Sequence, residues 1–392
     1  MSTTSLTLRE RASLPLEYVR TVGPLVGVTA GRIRDAMIGL HAAHPAHPIV
    51  SRLSRSANRW EHLDGPEFAR FAEGAVTDLG HDPVNFEALT RQLQFEPPGQ
   101  HPVRILAGGG YLAVRVSSAY AGATNPLLRE LALAAYELRA AGIPTSPARQ
   151  QAALPKAWWK QVGRHPGRWM LPKQQPQPPQ SPESGRPAAG PPTAWHPSLT
   201  MRSARSARVL DEMAAWRDRY APGVSTAAIT FAAFTAALIE LGVEPDPHGG
   251  TFLLDLGPAH LPPDALTDPV AIHRTLADEL ASGRPLTRKM LRAGRAVLTG
   301  APVESPPGLA FSDRGRHDML GDLPWAVVPA SRINLSVPTV SGPRTITVTS
   351  SEMTGVLHLE ATFHATSYDP DVIARAVELT CTDPAGLIMA NR

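Results

Sequence analysis

Two periodicities alternate along the chain. In RIRDAMIGLHAAH the apolar residues Ile33, Met37, Ile38 and Leu40 recur near helical spacing, which predicts a helix over residues 28–44 that Pro45 stops. The next segment, IVSRLSRSANRW, sets polar residues between Ile49 and Leu53 and reads as a strand. Phe68, Phe71, Ala72, Ala75, Val76 and Leu79 share one face of a second helix predicted over 64–80, with Asp64 as its cap. Residues 103–118 read as two strands joined tightly through Gly108, Gly109 and Gly110. In the second of them Leu112, Val114 and Val116 alternate with Ala113 and Arg115. Residues 125–141 predict an amphipathic helix with Asn125 at its N-cap and Gly142 just past its end.

The second half has the same grammar. Helices are predicted over 204–220, 225–241, 269–280, 286–298 and 369–379, the third of these segments opening at Pro269 and the last at Asp369–Pro370–Asp371. Strands are predicted over 251–256 (TFLLDL), 326–335, 345–351 and 355–366. Helices and strands are mixed in both halves, so the fold class is α+β, or α/β in two layers. Between the halves runs PKQQPQPPQSPESGRPAAGPPTAWHP, rich in Pro, Gln, Ser and Gly and without apolar periodicity. It divides the chain into an N-terminal lobe (1–171), a Pro-rich linker (172–198) and a C-terminal lobe (199–392).

Composition narrows the class. Hydrophobic residues make up 43% of the 392 and charged residues 19%, a balance that buries a large core and excludes a disordered chain. The net charge of +3 is carried on dispersed arginines (Arg202, Arg205, Arg208; Arg284, Arg288, Arg292, Arg295). That spacing argues against a nucleic-acid interface and suits a solvated face or a docking patch for an acidic carrier protein or a phosphate-bearing cofactor. Cys381 is the single cysteine, which excludes an intramolecular disulfide and a cysteine-based zinc site. There is no run of about 18 apolar residues that could span a bilayer, and the N-terminus lacks the apolar segment of a signal peptide, so a cytoplasmic protein without a membrane partner is expected. There is no GxSxG, Walker loop or dinucleotide fingerprint; the glycines at 108–110 precede a strand rather than a helix. His41, His44 and His47 lie three apart, but two prolines and the lack of a carboxylate cluster favour a surface turn over a metal site.

The order of these segments resembles the condensation-domain superfamily, which includes chloramphenicol acetyltransferase and polyketide-associated acyltransferases. IRDAMIGLHAAHPAHPIVSRLSRSANRW is similar to the family's opening helix, His–Pro turn and first strand. LAVRVSSAYAGATNPLLRELALAAYEL resembles the catalytic strand, loop and following helix, and VSTAAITFAAFTAALIELG the helix that opens the second lobe. TFLLDLGPAHLPPD and LAFSDRGRHDMLGDLPW resemble, respectively, the strand and turn that follow that helix and the late segment near the substrate channel. The resemblance implies two chloramphenicol-acetyltransferase-like lobes forming a V around a central tunnel.

The family signature HHxxxDG is degenerate here. Matched by position, the two histidines fall on Ser117 and Ser118, the aspartate on Gly122 and the glycine on Ala123. The arginine that pairs with the motif aspartate in the family falls on Gly257, so both ends of that ion pair are missing together; losing one alone would strand a buried charge. Candidate catalytic residues are Ser117 and Ser118 at the motif position, Tyr120 as a donor to a developing oxyanion, and His364. In LHLEATFHATSY, His358, Glu360, Thr362 and His364 share one strand face, which is either a solvated sheet face or a tunnel wall on which His364 or Glu360 acts as base. Gly122, Thr124, Glu360 and Ser312 are candidate substrate-binding residues. Three functions remain open. The first is a condensation-type acyltransferase of natural-product (antibiotic) biosynthesis. It would form an amide, in preference to an ester, from a carrier-protein or CoA thioester and a small amine. The second is a catalytically inactive relative that binds a carrier protein or a partner enzyme. The third is other chemistry in the same tunnel, a cyclisation or isomerisation. The resemblance implies no permanently bound cofactor, a phosphopantetheine thioester as donor, and an acyl- or peptidyl-carrier protein as partner.

Overall fold

A computed structural model describes residues 2–7, 10–11, 14, 17–80, 85–96, 99–117, 119–120, 124–143, 159, 198–244, 247, 249–254, 257–285, 287–288, 308–338 and 344–391. The first half begins with β1 (Ser2–Ser5), β2 (Glu17–Gly23), α1 (Ala30–Ala43), β3 (Arg52–Ser54) and β4 (Arg59–His62). It continues through α2 (Gly65–Ala75), β5 (Val76–Asp78), α3 (Phe86–Phe95), β6 (Val103–Gly108), β7 (Tyr111–Ser117) and α4 (Thr124–Glu137). Asp64 closes a reciprocal capping box with Glu67 at the start of α2, and Thr29 caps α1. The helix predicted over 64–80 stops at Ala75 because Val76–Asp78 leaves it to pair in parallel with β6.

The second half holds β8 (Leu199–Ser206), α5 (Val209–Tyr220), α6 (Thr226–Glu240), β9 (Gly250–Leu254), β10 (Gly257–Leu261) and α7 (Pro269–Ser282). After these come β11 (Gly308–Arg316), β12 (Ile333–Pro338), β13 (Thr345–Met353), β14 (Val356–His364), α8 (Pro370–Thr382) and α9 (Pro384–Ala390). Two expectations are corrected. The helix predicted over 204–220 starts only at Val209, because residues up to Ser206 pair with β14 as an edge strand. The strand predicted over 326–335 begins only at Ile333, after a short turn of helix at Pro329–Ser331. The helix predicted over 286–298 and the linker up to residue 197 lie outside the described residues, apart from isolated positions.

Two sheets organise the molecule. The first has the order β12-β2-β7-β6-β5; α1, α2 and α4 cover one face through Ile33, Met37, Phe68 and Leu128 against Val22, Ile105 and Val114. On its other face Leu89 and Leu93 of α3 pack with Val19, Leu106, Ala113 and Leu335. The second sheet has the order β10-β9-β11-β13-β14-β8 and is covered on one face by α6 and α8. Helix α6, TAAITFAAFTAALIE, is apolar all round and is accordingly buried, with Phe231 5.2 Å from Phe252 and 4.7 Å from Phe311. Ser225 caps it, accepting from the Ala228 backbone N–H.

The second half does not stay on its own side. Strand β12 pairs antiparallel with β2, Ile333 opposite Gly23 through Pro338 opposite Tyr18, and so completes the first sheet. Leu320, Leu323 and Met353 enter the first lobe's core, and the Trp325 indole N–H donates to the Leu320 carbonyl at 2.9 Å beneath it. Arg129 on α4 pairs with Asp322 at 2.5 Å. The two sheets are thus one folding unit. Leu335→Ala, in the crossing strand, and Phe363→Ala, in the second core, are each expected to remove about 2–5 kcal/mol of stability. In both variants chemical denaturation followed by fluorescence and by circular dichroism should give one coincident transition, shifted to lower denaturant.

Candidate functional site

Strand β14, VLHLEATFH, is buried along its whole length. Its Leu357, Leu359, Ala361 and Phe363 enter the second core, as alternation requires. The other face carries His358, Glu360, Thr362 and His364, and it is not solvated: Glu360 is 1% exposed and His358 2%. Register extends this polar face across the sheet. Thr349 stands opposite Glu360 and Ser351 opposite His358 on β13, Ser312 stands beside Thr349 on β11, and Ser203 stands opposite Glu360 on β8. The face turns toward the first lobe, where Asn334 of β12 donates to the Ser351 hydroxyl at 3.5 Å and the Ser203 hydroxyl donates to Glu87 of α3 at 3.1 Å. Its burial and these two contacts show that the first lobe covers this polar face.

The first lobe answers with a cation. Arg20, in the middle of β2, is buried; its Nε and one terminal nitrogen donate to Asn334 Oδ1 at 3.2 and 3.0 Å, and its other terminal nitrogen donates to Asn125 Oδ1. Asn125 lies in the first turn of α4 rather than at its N-cap, since the helix begins at Thr124. Because Arg20 is a pure donor, Asn125 must present its oxygen to Arg20 and its NH₂ to His317, whose Nδ1 lies at 3.0 Å. His317 is therefore a neutral imidazole with its proton on Nε2, and that Nε2 is buried with no partner among the described residues. The Nε2 of His358 and both carboxyl oxygens of Glu360 likewise have no partner among the described residues. Arg20 is within electrostatic reach of Glu360, Arg314, His317 and His358, which joins the two walls into one cluster.

Burial sets the charges. It lowers Arg20 to about 9, with Glu360 opposing, which leaves the guanidinium cationic at neutral pH. It lowers His317 and His358 to about 3, helped by the neighbouring arginines, so both are neutral. Desolvation raises Glu360 well above the usual carboxylate range and outweighs the pull of Arg20 and Arg314. The covered face thus gathers a cation, two neutral imidazoles and a carboxyl whose protonated form burial favours.

The residues singled out from sequence fall in different places. Glu360 and Ser312 line the polar face. His364 is at its far end, where its Nδ1 is 2.9 Å from the Ser198 hydroxyl. Ser117 ends β7 in a turn: its carbonyl accepts from the Tyr120 N–H at 3.0 Å and its hydroxyl from the Ala119 N–H at 3.4 Å. The Tyr120 ring packs in the first core, 6.0 Å from the His47 ring, and burial raises its hydroxyl to about 12. Thr124 opens α4, and Gly257 opens the edge strand β10. Ser118 and Gly122 lie outside the described residues. The expected surface turn is present at residues 44–46, with His44 exposed, but His41 and His47 on either side of it are buried, His41 stacked on Phe68 at 4.4 Å. Arg20, His317 and Asn334 were not singled out, although HDML at 317–320 lies within a segment already matched to the channel. A buried arginine inside the otherwise apolar run YVRTV is the signal that points to Arg20.

The cluster makes stability depend on pH in two opposing ways. Glu360 keeps its proton in the folded chain after the unfolded chain has lost it, so stability falls as pH rises above about 4.3, by about 1.4 kcal/mol per unit, until the folded group ionises. Glu360→Gln is expected to be closest to the parent near pH 4 and progressively more stable toward pH 8. The two histidines act in the opposite sense: the stability they contribute is complete above about 6.5 and is lost as pH falls toward 3. His358→Gln should flatten that acid limb. Urea denaturation midpoints from pH 4 to 8 check both.

No family model matches the sequence, and no curated protein matches it. Solved structures do match in shape. The epimerization domain from the third module of tyrocidine synthetase B is similar over 99% of this chain and 97% of that one, at 12% identity and a TM-score of 0.53. The wax ester synthase/diacylglycerol acyltransferase of Marinobacter aquaeolei VT8 is similar over 99% of both chains, at 12% identity and a TM-score of 0.55. The first condensation domain of the CDA synthetase is similar over 99% of this chain and 98% of that one, at 14% identity and a TM-score of 0.52. The chain has the two-lobed α+β fold shared by condensation domains and chloramphenicol-acetyltransferase-like acyltransferases.

Proposed function

We propose that this protein is a condensation-type acyltransferase that forms an amide from a thioester and a small amine, with Glu360 in place of the missing motif histidine. The observation that carries this reading is a buried carboxyl with both oxygens unpartnered among the described residues, on the face of β14 that the first lobe covers, where desolvation favours its protonated form. A neutral carboxylic acid donates through its hydroxyl and accepts through its carbonyl. As the amine nitrogen attacks the thioester carbon, the carbonyl oxygen takes up the electron pair and receives a hydrogen bond from His358, two residues along the same strand face. Collapse reforms the carbonyl and expels the sulfur. Glu360 accepts the proton that nitrogen loses and hands its own to the departing sulfur, so the carboxyl ends neutral, as it began. No strong base is needed, which favours an amine over an alcohol; alignment on a desolvated face supplies much of the rate. The donor is a phosphopantetheine thioester on a carrier protein or CoA. Nonribosomal peptide synthetases among the similar structures support a carrier-protein partner.

A second reading is a catalytically silent member that binds a carrier protein. It is favoured by the placement of Ser117, which closes a turn at the motif position instead of presenting a base. Intact-mass spectrometry of acylated carrier proteins incubated with the protein and a panel of amines separates the two. Protein-dependent loss of the acyl group, with an amide in solution, supports transfer. Glu360→Gln should then lower kcat by about 10²–10⁴-fold without unfolding the chain, whereas Ser117→Ala and His364→Ala should leave turnover essentially unchanged. Tight binding of one carrier protein without transfer would select the second reading.

A further inference from the structure

Arg20 is a full, permanent charge in a desolvated place. Removing a guanidinium from water costs several kcal/mol unless a counter-charge compensates it. Its hydrogen-bonding partners are two neutral amides, Asn334 and Asn125, and Glu360, the acid within electrostatic reach of it among the described residues, makes no hydrogen bond to it, both carboxyl oxygens lacking a partner there. The compensation that a buried arginine ordinarily finds is absent among the described residues. Of its five N–H donors, the two amides engage three, leaving one on each terminal nitrogen. A pair of donors on neighbouring nitrogens matches the two oxygens of one carboxylate.

Other groups point the same way. The Asn125 bridge forces the His317 proton onto Nε2, and that buried N–H donates to nothing described. Arg314, held over the Tyr18 ring at 5.3 Å, adds positive field. Arg20, His317, His358 and Glu360 are each more than nine-tenths buried. An oxyanion that exists only at the transition state cannot offset the charge of Arg20 in the resting protein. A carboxylate that is ionised on arrival can.

We infer that the cluster around Arg20 is a carboxylate-binding site, in which the free terminal N–H donors of Arg20 and the Nε2–H of His317 hold the carboxylate of a small substrate. The inference rests on the acyltransferase reading only for which substrate carries that group. A carboxylate on the acceptor makes it an amino acid; a carboxylate on the donor makes the acyl group a dicarboxylic half-acid. Either way, the anion fixed on β2 sets how far the reacting atom reaches toward Glu360 on β14. The class of reaction that supplies such a substrate leaves one carboxyl free.

The test is binding, not turnover. The purified full chain is titrated calorimetrically with L-amino acids and their carboxamides, and separately with succinate and succinamate methyl ester, and thermal shifts are recorded in parallel. Acids should bind at least about 10-fold more tightly than their uncharged counterparts, the factor expected for a charge-assisted pair. Whether the amino acids or succinate bind identifies the substrate that carries the group. Arg20→Gln should abolish the preference while folding to the same circular dichroism spectrum, and His317→Gln, which keeps a donor, should retain part of it. Equal binding of acids and amides, undiminished binding to Arg20→Gln, or no binding of any acid at tens of millimolar would overturn the site and leave the cluster to ordered water. Acids that bind without any amide forming in the transfer assay would leave the site standing and remove the acyltransferase reading. Amide formation equally fast from amines with and without a carboxylate, and from donors with and without one, would do the reverse.

Discussion

The contact between the two lobes depends on one constraint, the desolvation of Arg20. Three segments far apart in sequence converge to hold it: β2 contributes the guanidinium, the first turn of α4 contributes Asn125, and β12 contributes Asn334. Because the clamp is made of amides rather than carboxylates, it fixes the direction of the side chain without cancelling its charge. The positive potential then lowers both imidazoles further, although burial remains the larger cause. Glu360 shows the balance most clearly. Arg20 favours its ionised form and burial opposes it more strongly, and the two side chains form no ion pair among the described residues.

Much of the fold was legible because local signals and tertiary structure agree. Asp64, Ser225 and Asp369 cap helices where a side-chain acceptor meets free N–H groups, and the three glycines at 108–110 turn β6 into β7. Failures occurred where pairing with a distant segment overrode local preference. Residues 204–206 have helix-forming neighbours yet extend to meet β14, and β2 was passed over because Arg20 and Thr21 interrupt its apolar pattern. The sheet face of His358 and Glu360 illustrates the deeper limit. Alternation correctly separated the two faces of β14, but a polar face reads the same whether water or a second lobe covers it. Glu360 could be named from sequence, while its burial could not, because that depends on what the other half of the chain places over it.

The degenerate motif is consistent with this displacement of chemistry. At the motif position the strand ends in Ser117, whose hydroxyl and carbonyl serve the turn that follows. Glu360 and His358, with unpartnered atoms among the described residues, lie instead on β14, and His317 lies just beyond β11, all in the second half. A fold that holds two lobes against each other can relocate its reactive groups from one wall to the other, provided the space between them is kept. The buried serines and threonines of β11, β13 and β14 keep that space polar.

The crossing of β12 into the first sheet also bears on synthesis at the ribosome. Chains emerge from the N-terminus at about 5–20 residues per second, and domains generally fold as they appear. Here β2 has β7 as one neighbour early, but its other edge stays open until Pro338 has been made, by which time most of the 392 residues exist. The nascent first lobe must therefore wait with an unpaired apolar strand edge, the feature that invites pairing with other chains. Arg20 and Thr21, the polar residues that obscured β2 in the sequence, lie on that waiting edge strand and make it a poorer template for a stranger.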